Sequence, residues 1–355
     1  MKLLLISTDR NLLQPDSAVS IRHAAYATRC ASLAIIVFSK RGAEPVMLAP
    51  SATVHPTNSR TKLLYGLDAI LIACGLSKPD VVSAQDPFET GLAAWVVARL
   101  FNVPLHVQIH TDFLAPEFVQ GFFLNRLRRF IAEFVLRRAS RVRAVSERIK
   151  ESLEKQYRLS APISVLPIYV DIGRYAHIVR TKHPRFKVVL LTISRLEKEK
   201  HLSRAIDALQ KARTTGHDAG LIIVGSGSEE GRLRDYAREK SLERFVEFAG
   251  WQNDLAPYFS VADLVLVTSD YEGYGITIIT ALASGIPVLS TDVGVAREAG
   301  AMVASPEDFA QALVRWIAGG PRKGDLVAYP YTNEGEYVRA WYDDIASCTS
   351  AKKRV

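Results

Sequence analysis

The stretch 262–299, ADLVLVTSDYEGYGITIITALASGIPVLSTDVGVAREA, constrains this chain more than any other. It reads as strand, polar loop, helix and second strand. Residues 264–267 are an apolar run suited to a buried parallel strand. Residues 268–275 form a loop rich in Ser, Asp, Glu and Gly. Residues 276–283 have the length and Ala/Leu content of a helix, which Ser284-Gly285 ends, and 287–290 restart as a strand. In open α/β sheets ligands bind outside the carboxyl ends of such strands, and a helix N-terminus there favours anions. Glu272 in that loop therefore needs a reason. It makes chemical sense as an acceptor for ligand hydroxyls, beside Gly amides that take a phosphate.

The same alternation runs along the rest of the chain. Strands are expected at 3–7, 33–38, 81–84, 105–109, 142–145 and 163–166. Helices are expected at 17–30, 61–77, 89–100 and 116–139, and one begins after Ser146 as N-cap with Ile149 and Leu153 as core positions. Around 170–185 the pattern dissolves into Gly, Pro and basic residues, which reads as a linker. A second series follows, with strands at 187–193, 221–224 and 245–248 and helices at 202–212, 229–240 and 255–259. Beyond the opening stretch, helices are expected at 306–317 and 334–346. Strands alternating with helices mean doubly wound parallel sheets. Two Rossmann-like domains are expected: 1–175, joined by a final helical segment 331–355, and 176–330.

Composition narrows the partners. The net charge of +8 and the pI near 9.3 point to anionic ligands or surfaces. Nothing like a recognition helix or an aromatic ribonucleoprotein motif supports nucleic acid. Cys30, Cys74 and Cys348 are few and unpatterned, which argues for a reducing compartment and against a disulfide or zinc framework. The opening MKLLLI is interrupted by Asp9-Arg10 and reads as a first strand rather than a leader. No run approaches the roughly 20 apolar residues of a membrane span. A cytoplasmic protein is the expectation.

Three further segments carry chemistry. Ser194-Arg195-Leu196-Glu197-Lys198-Glu199-Lys200 follows the first strand of the second series. Arg195 offers a planar fork and Lys200 a point charge to a diphosphate, which would stabilise a departing anion without a metal. The bland alternative is a solvated charge run. Gly225-Ser226-Gly227 ends another strand but is no dinucleotide fingerprint, because Glu230 stands where the third Gly belongs. Neither domain opens with that fingerprint, which disfavours a nicotinamide-linked dehydrogenase. His110 closes the strand at 105–109, where a satisfied structural histidine is the ordinary reading.

These residues together resemble glycosyltransferase family 4, retaining sugar-nucleotide-dependent enzymes of the GT-B fold. The resemblance rests on Ser269-Asp270-Tyr271-Glu272-Gly273-Tyr274-Gly275 with its Ala-rich helix and Gly285-Ile286-Pro287-Val288, on Ser194–Lys200, and on Val107-Gln108-Ile109-His110-Thr111. It implies two Rossmann-like doubly wound domains facing a central cleft, with the last helix returning to the first domain. It implies that Arg195 and Lys200 neutralise the diphosphate, and that Glu272, Gly273, Tyr274 and Gly275 hold the donor sugar. Gly225 would lie beside the nucleotide, residues 251–254 near its base, and His110 against the sugar. Asp112 and Ser17 are candidate acceptor-side contacts. No cofactor or metal is expected, only a UDP- or GDP-linked co-substrate. The acceptor would be a glycan or a lipid-linked glycan of the cell-envelope or exopolysaccharide type.

Two departures from the family pattern stand out. The turn Gln14-Pro15-Asp16-Ser17-Ala18 has no Gly, and Thr280 replaces a second Glu that in the family holds the ribose. They motivate the alternative of a weak or inactive sugar-nucleotide-binding scaffold. Finally, 118–143 reads as a basic amphipathic helix, either lying on an anionic membrane surface or packing on the sheet with a charged outer face. Its basic residues are Arg126, Arg128, Arg129, Arg137, Arg138, Arg141 and Arg143, against Glu133 alone; Phe122, Phe123, Leu127, Phe130, Ile131, Phe134 and Val135 lie between them.

Overall fold

The computed structural model describes residues 1–121 and 124–350. They form two compact units. The first holds residues 1–114, 124–167 and 331–350; the second holds 115–121 and 168–330.

The first unit opens with β1 (Lys2–Ser7), α1 (Ala18–Ala27) and β2 (Ser32–Val37). A short hairpin follows, β3 (Val46–Ala49) and β4 (Ala52–Pro56), then α2 (Tyr65–Gly75) and β5 (Val81–Ala84). Next come α3 (Glu89–Phe101) and β6 (Leu105–Ile109). The chain then places α4 (Pro116–Gly121) in the second unit and returns with α5 (Leu124–Leu136), β7 (Arg141–Ala144), α6 (Glu147–Gln156) and β8 (Ile163–Val165). The sheet order is β3-β4-β2-β1-β5-β6-β7-β8. Every pairing is parallel except β3 on β4 at the edge.

The second unit continues with β9 (Val188–Ile193), α7 (Ser203–Thr214), β10 (Ala219–Val224), α8 (Glu230–Glu239) and β11 (Val246–Gly250). After α9 (Ala256–Val261) come β12 (Leu264–Val267), α10 (Ile276–Ala283), β13 (Val288–Ser290), α11 (Ala296–Ala299), β14 (Met302–Val303) and α12 (Phe309–Gly319). Its sheet runs β11-β10-β9-β12-β13-β14, all parallel. The last helix, α13 (Glu334–Ser350), belongs to the first unit, where Trp341 stacks on Tyr26 of α1 at 4.0 Å between ring centroids.

The strand order fixes where ligands can meet each sheet. The order in which strands are added turns back between β1 and β5 in one sheet and between β9 and β12 in the other, so the loops at their carboxyl ends splay apart and leave a crevice. The strands flanking both crevices are buried on both faces, as Leu3–Ile6, Val81, Val82, Leu190, Leu191 and Leu264–Leu266 illustrate. Ser146 caps α6 by accepting from the Ile149 amide at 3.4 Å, and Ile149 and Leu153 are buried.

Several expectations need correction. Of the stretch expected as helix, Pro116–Gly121 and Leu124–Leu136 are helical and are assigned to different units, and residues 141–143 of the basic helix expected at 118–143 are strand. Arg143 is 1% exposed, and Phe118 and Val135 are buried, so none of these joins a solvent-facing stripe. Phe122 and Phe123 lie outside the described residues. The hairpin β3–β4 and strand β14 went unexpected; they are short, and β14 has only two residues. The stretch 170–185 packs within the second unit: Tyr175 meets Phe259 edge-on at 5.6 Å and Arg180 donates to the Phe259 carbonyl at 2.9 Å. Among the described residues no helix is long and apolar enough to cross a membrane.

Candidate functional site

In the second unit the crevice between β9 and β12 gathers the expected donor-side residues. After β9 the chain runs through Ser194 and Arg195 into a tight turn at Lys198–Lys200. After β12 it forms the loop 268–275. The two loops are tied together: the Asp270 amide donates to the Glu199 carbonyl at 2.8 Å, and the Thr268 hydroxyl donates to the Lys200 carbonyl at 2.9 Å. Asp270 accepts from Arg204 at 3.2 Å and lies 3.0 Å from His201 Nδ1. Although burial opposes it, these partners hold the Asp270 carboxyl below its ordinary range.

Within that frame Lys200 Nζ meets Glu272 Oε1 at 2.5 Å, and Ser269 donates to the same oxygen at 2.8 Å. Both charged side chains are largely enclosed, at 14% and 19% exposure. Arg195 is different: it is 65% exposed and pairs with Glu199 at 2.9 Å. Gly273 and Tyr274 are buried, and the Tyr274 carbonyl accepts from the Val295 amide at 2.9 Å. Gly275 adopts φ +98° as the residue that opens α10, a conformation that strains any residue with a Cβ. The Thr277 hydroxyl donates to the Ile193 carbonyl at 3.0 Å, pinning the α10 N-terminus, with its unpaired amides, beside the end of β9.

Gly225 has a demand that does not depend on any ligand. At φ +131°, a Cβ there would lie 1.8 Å from the Ser194 carbonyl oxygen, and at Gly227 one would lie 2.3 Å from that of Leu196. The two glycines let the loop after β10 press against the loop that carries Arg195. Thr280 is buried, and its hydroxyl donates to the Ile276 carbonyl one turn back at 2.9 Å, so that proton is committed to its own helix. Trp251 is 64% exposed and donates to Asn253 at 3.1 Å. Phe118 of α4 meets Tyr271 edge-on at 5.8 Å, and burial pushes the Tyr271 hydroxyl up to about 12. A hollow of about 750 Å³ lies at the other end of α10, lined by residues such as Leu282, Ile286 and Leu326. It contains none of the expected site groups.

In the first unit His110 stands at the carboxyl end of β6 and is set by a buried polar chain. Arg143 donates to Gln108 Oε1 at 2.8 Å and to the Leu166 carbonyl at 3.1 Å. The Gln108 amide nitrogen donates to Ser83 at 3.1 Å. Its oxygen therefore faces His110 Nε2, 3.3 Å away, and can only accept. His110 must carry its proton on Nε2 and keep a lone pair on Nδ1. Burial first, then the Arg143 charge, pull its pKa down to about 3, so it is neutral near pH 7. The chain continues beyond Gln108. Ser83 lies 2.8 Å from His106 Nδ1, and His106 Nε2 lies 3.0 Å from Asp344 of α13. Asp344 also accepts from Arg141 and Ser164, both at 2.6 Å. Despite burial, these partners hold its carboxyl well below the usual carboxylate range.

Ser17 is committed to structure. Its hydroxyl caps α1 by accepting from the Ser20 amide at 3.1 Å and donates to the Asn11 carbonyl at 2.7 Å. Asp112 is half-buried in the loop after β6. One carboxylate escaped the sequence reading: Asp86, beside the β1/β5 reversal, whose pKa burial raises to about 6. A carboxylate two residues beyond an apolar strand, where the strand order turns back, is the signal that could have found it.

Comparison with known proteins adds the following. The model of the family described as Glycosyl transferases group 1 matches residues 187–318, and that of Glycosyltransferase Family 4 matches 33–174. The chain is 24% identical over 241 residues to the GtfA subunit of the UDP-N-acetylglucosamine–peptide N-acetylglucosaminyltransferase of Streptococcus pneumoniae, covering 66% of this chain and 47% of that protein. It spans about half or less of the length of the curated relatives it matches. Among solved structures, sucrose-phosphate synthase from Thermosynechococcus elongatus superposes with a TM-score of 0.74 at 17% identity, over 100% of this chain and 99% of that one. Anabaena HepE, in complex with UDP and glucose, superposes with a TM-score of 0.71 at 18% identity, over 100% of both chains. Likeness at such identity speaks for the fold, which is GT-B, built of two Rossmann-like units.

Proposed function

From the premise that this chain belongs to the glycosyltransferases of group 1 and family 4, we propose that it moves a sugar from a nucleoside-diphosphate sugar, UDP- or GDP-linked, to a glycan or lipid-linked acceptor, with retention. The observation that carries the reading is the enclosed Lys200–Glu272 pair at the reversal of the second sheet. Without ligand, each of these charges satisfies the other. A sugar diphosphate offers a better partition: phosphate oxygens to Lys200 and Arg195, and sugar hydroxyls to Glu272 and the backbone of Gly273 and Gly275. As the glycosidic bond breaks, negative charge grows on the departing diphosphate. Fixed cations and the α10 N-terminal amides stabilise it there, and no metal is required. On this reading Asp86 and the Nδ1 lone pair of His110 would be the first-unit groups that accept from an acceptor hydroxyl, and the commitment of His110 Nε2 to Gln108 supports it. A lipid-linked acceptor would be met at an anionic membrane surface on the inner side of the cell, and the basic segment 118–143 is the part of the sequence that suggests it.

A second reading has its own observation. The commitment of the Thr280 hydroxyl to its helix leaves no carboxylate at the position the family uses for the ribose. That favours a weakly active or inactive sugar-nucleotide-binding relative, acting as a scaffold.

Thermal shift with UDP-, GDP- and ADP-sugars, with and without a chelator, tests both. A ligand at about 100 times its Kd adds roughly 2.7 kcal/mol. The expected outcome is a chelator-insensitive shift with one nucleotide, abolished in Lys200→Ala. A shift without turnover on any acceptor moves the scaffold to the front. No shift with any donor sinks both readings.

A further inference from the structure

Of the fourteen large apolar side chains exposed among the described residues, seven lie on three helices of the first unit, α2, α3 and α5, and an eighth, Leu63, on the turn that leads into α2. Helix α3 packs against α2 on one side and α5 on the other. On α2 and the turn before it, Leu63, Leu67 and Leu71 repeat every fourth residue, which aligns them in one row, at 94%, 54% and 61% exposure. Helix α3 continues the surface with Leu92 and Leu100, and α5 with Leu124, Leu127 and Phe130, the last 72% exposed. A helix that is apolar nearly all round is ordinarily covered, and α2 from Tyr65 to Gly75 carries Asp68 as its single charge.

The charge around these rows says what covers them. Residues 62–75, 89–101 and 124–138 hold seven basic side chains against three acidic ones. Of the seven, Lys62, Arg99 and Arg126 are exposed beside the leucines. A second copy of this chain would bring like charges together. An anionic lipid surface accepts both the apolar rows and the basic rim. We propose that the outer face of α2, α3 and α5 docks on an anionic bilayer, with Leu67, Leu71 and Phe130 entering the headgroup boundary. The proposal deepens the membrane contact above and rests on that reading for its purpose. It also moves the contact. Phe118 and Arg143 are buried and take no part, and α2, which lies outside 118–143, supplies the longest row.

The test uses the full chain and vesicles of phosphatidylcholine with about a third phosphatidylglycerol, without any donor sugar. Co-sedimentation is expected with these vesicles and is expected to weaken with pure phosphatidylcholine or high salt. Leu67→Ser/Leu71→Ser/Phe130→Ser is expected to lower binding by about tenfold or more while keeping the parent's melting curve. Phe130→Trp, in case the triple variant does not fold, should gain fluorescence that lipid-bound bromine quenches. Three results overturn the proposal: no vesicle binding by the parent, undiminished binding by a folded triple variant, or no added quenching in Phe130→Trp. A parent dimer that the triple variant abolishes also overturns it, by making the face a self-interface. Because no donor is present, failure here leaves the reading of the donor site standing, and failure of donor binding leaves this one.

Discussion

His110 of the first unit and Lys200 of the second both stand at the carboxyl end of a parallel sheet, yet they are held by opposite means. Behind His110 is a chain of buried hydrogen bonds through Gln108, Arg143, Ser83 and His106 to Asp344 on the last helix. Each donor and acceptor there has one role, so the group is fixed before any ligand arrives. Lys200 is held by Glu272, itself a candidate ligand contact, and Arg195 by Glu199 on the surface. Those pairs can open when a stronger partner enters. One unit presents a rigid, neutral group, and the other presents charges that a ligand can reassign.

The largest effect expected from breaking this contrast lies in the buried chain. Asp344→Ala leaves Arg141, His106 and Ser164 without their shared acceptor in a site 7% exposed. Removing one partner of a buried, hydrogen-bonded charge costs about 3–5 kcal/mol. Denaturant unfolding followed by far-UV circular dichroism should show that loss. A change below about 1 kcal/mol would mean that the chain holds nothing rigid and that the contrast fails.

Acid should sharpen the same contrast at a smaller scale. His110 titrates near 3 and His23 near 4 in the fold, against 6.5 when unfolded. Above pH 6.5 both are neutral in either state and contribute no slope. Below it the unfolded chain binds the extra proton, so stability falls as pH falls, by about 1.4 kcal/mol per pH unit for each histidine. The loss from His110 is complete only near its folded value. His110→Gln should remove one histidine's share of the slope between pH 6 and 4. An unchanged slope would place the acid sensitivity elsewhere.

What the sequence made legible follows from range. The two doubly wound sheets, the Ser146 cap and the β9 and β12 loops rest on local periodicity and turn chemistry, and the structure has them. Gly225 was found for a local reason and turns out to serve a contact with Ser194, which only the fold brings near. Lys200 and Glu272 were each singled out, but their pairing spans 72 residues and has no local signature. The His106–Asp344 bond spans 238 residues, so the support behind His110 was invisible. The basic helix expected at 118–143 ran too far, because residues 141–144 are strand β7: an amphipathic pattern reports which face is apolar, not where the helix ends.

The smallest effect tests the reassignable side. Arg195 and Glu199 sit four apart at 65% and 22% exposure, a geometry in which ion pairs contribute about 0.2–1 kcal/mol. Glu199→Gln should therefore shift the melting curve of the unliganded protein only slightly. Its effect on donor binding is the informative quantity. If Glu199 merely occupies Arg195 until a diphosphate arrives, removing its charge should leave donor binding unchanged or tighter, because the arginine no longer has a partner to give up. If Glu199 orients the guanidinium, binding should weaken while stability stays put. Isothermal titration of the nucleotide-sugar that gives the thermal shift, into parent and variant, separates the two. Weakened binding would make the second unit preorganised as well, and the contrast with the buried chain behind His110 would reduce to a difference in burial.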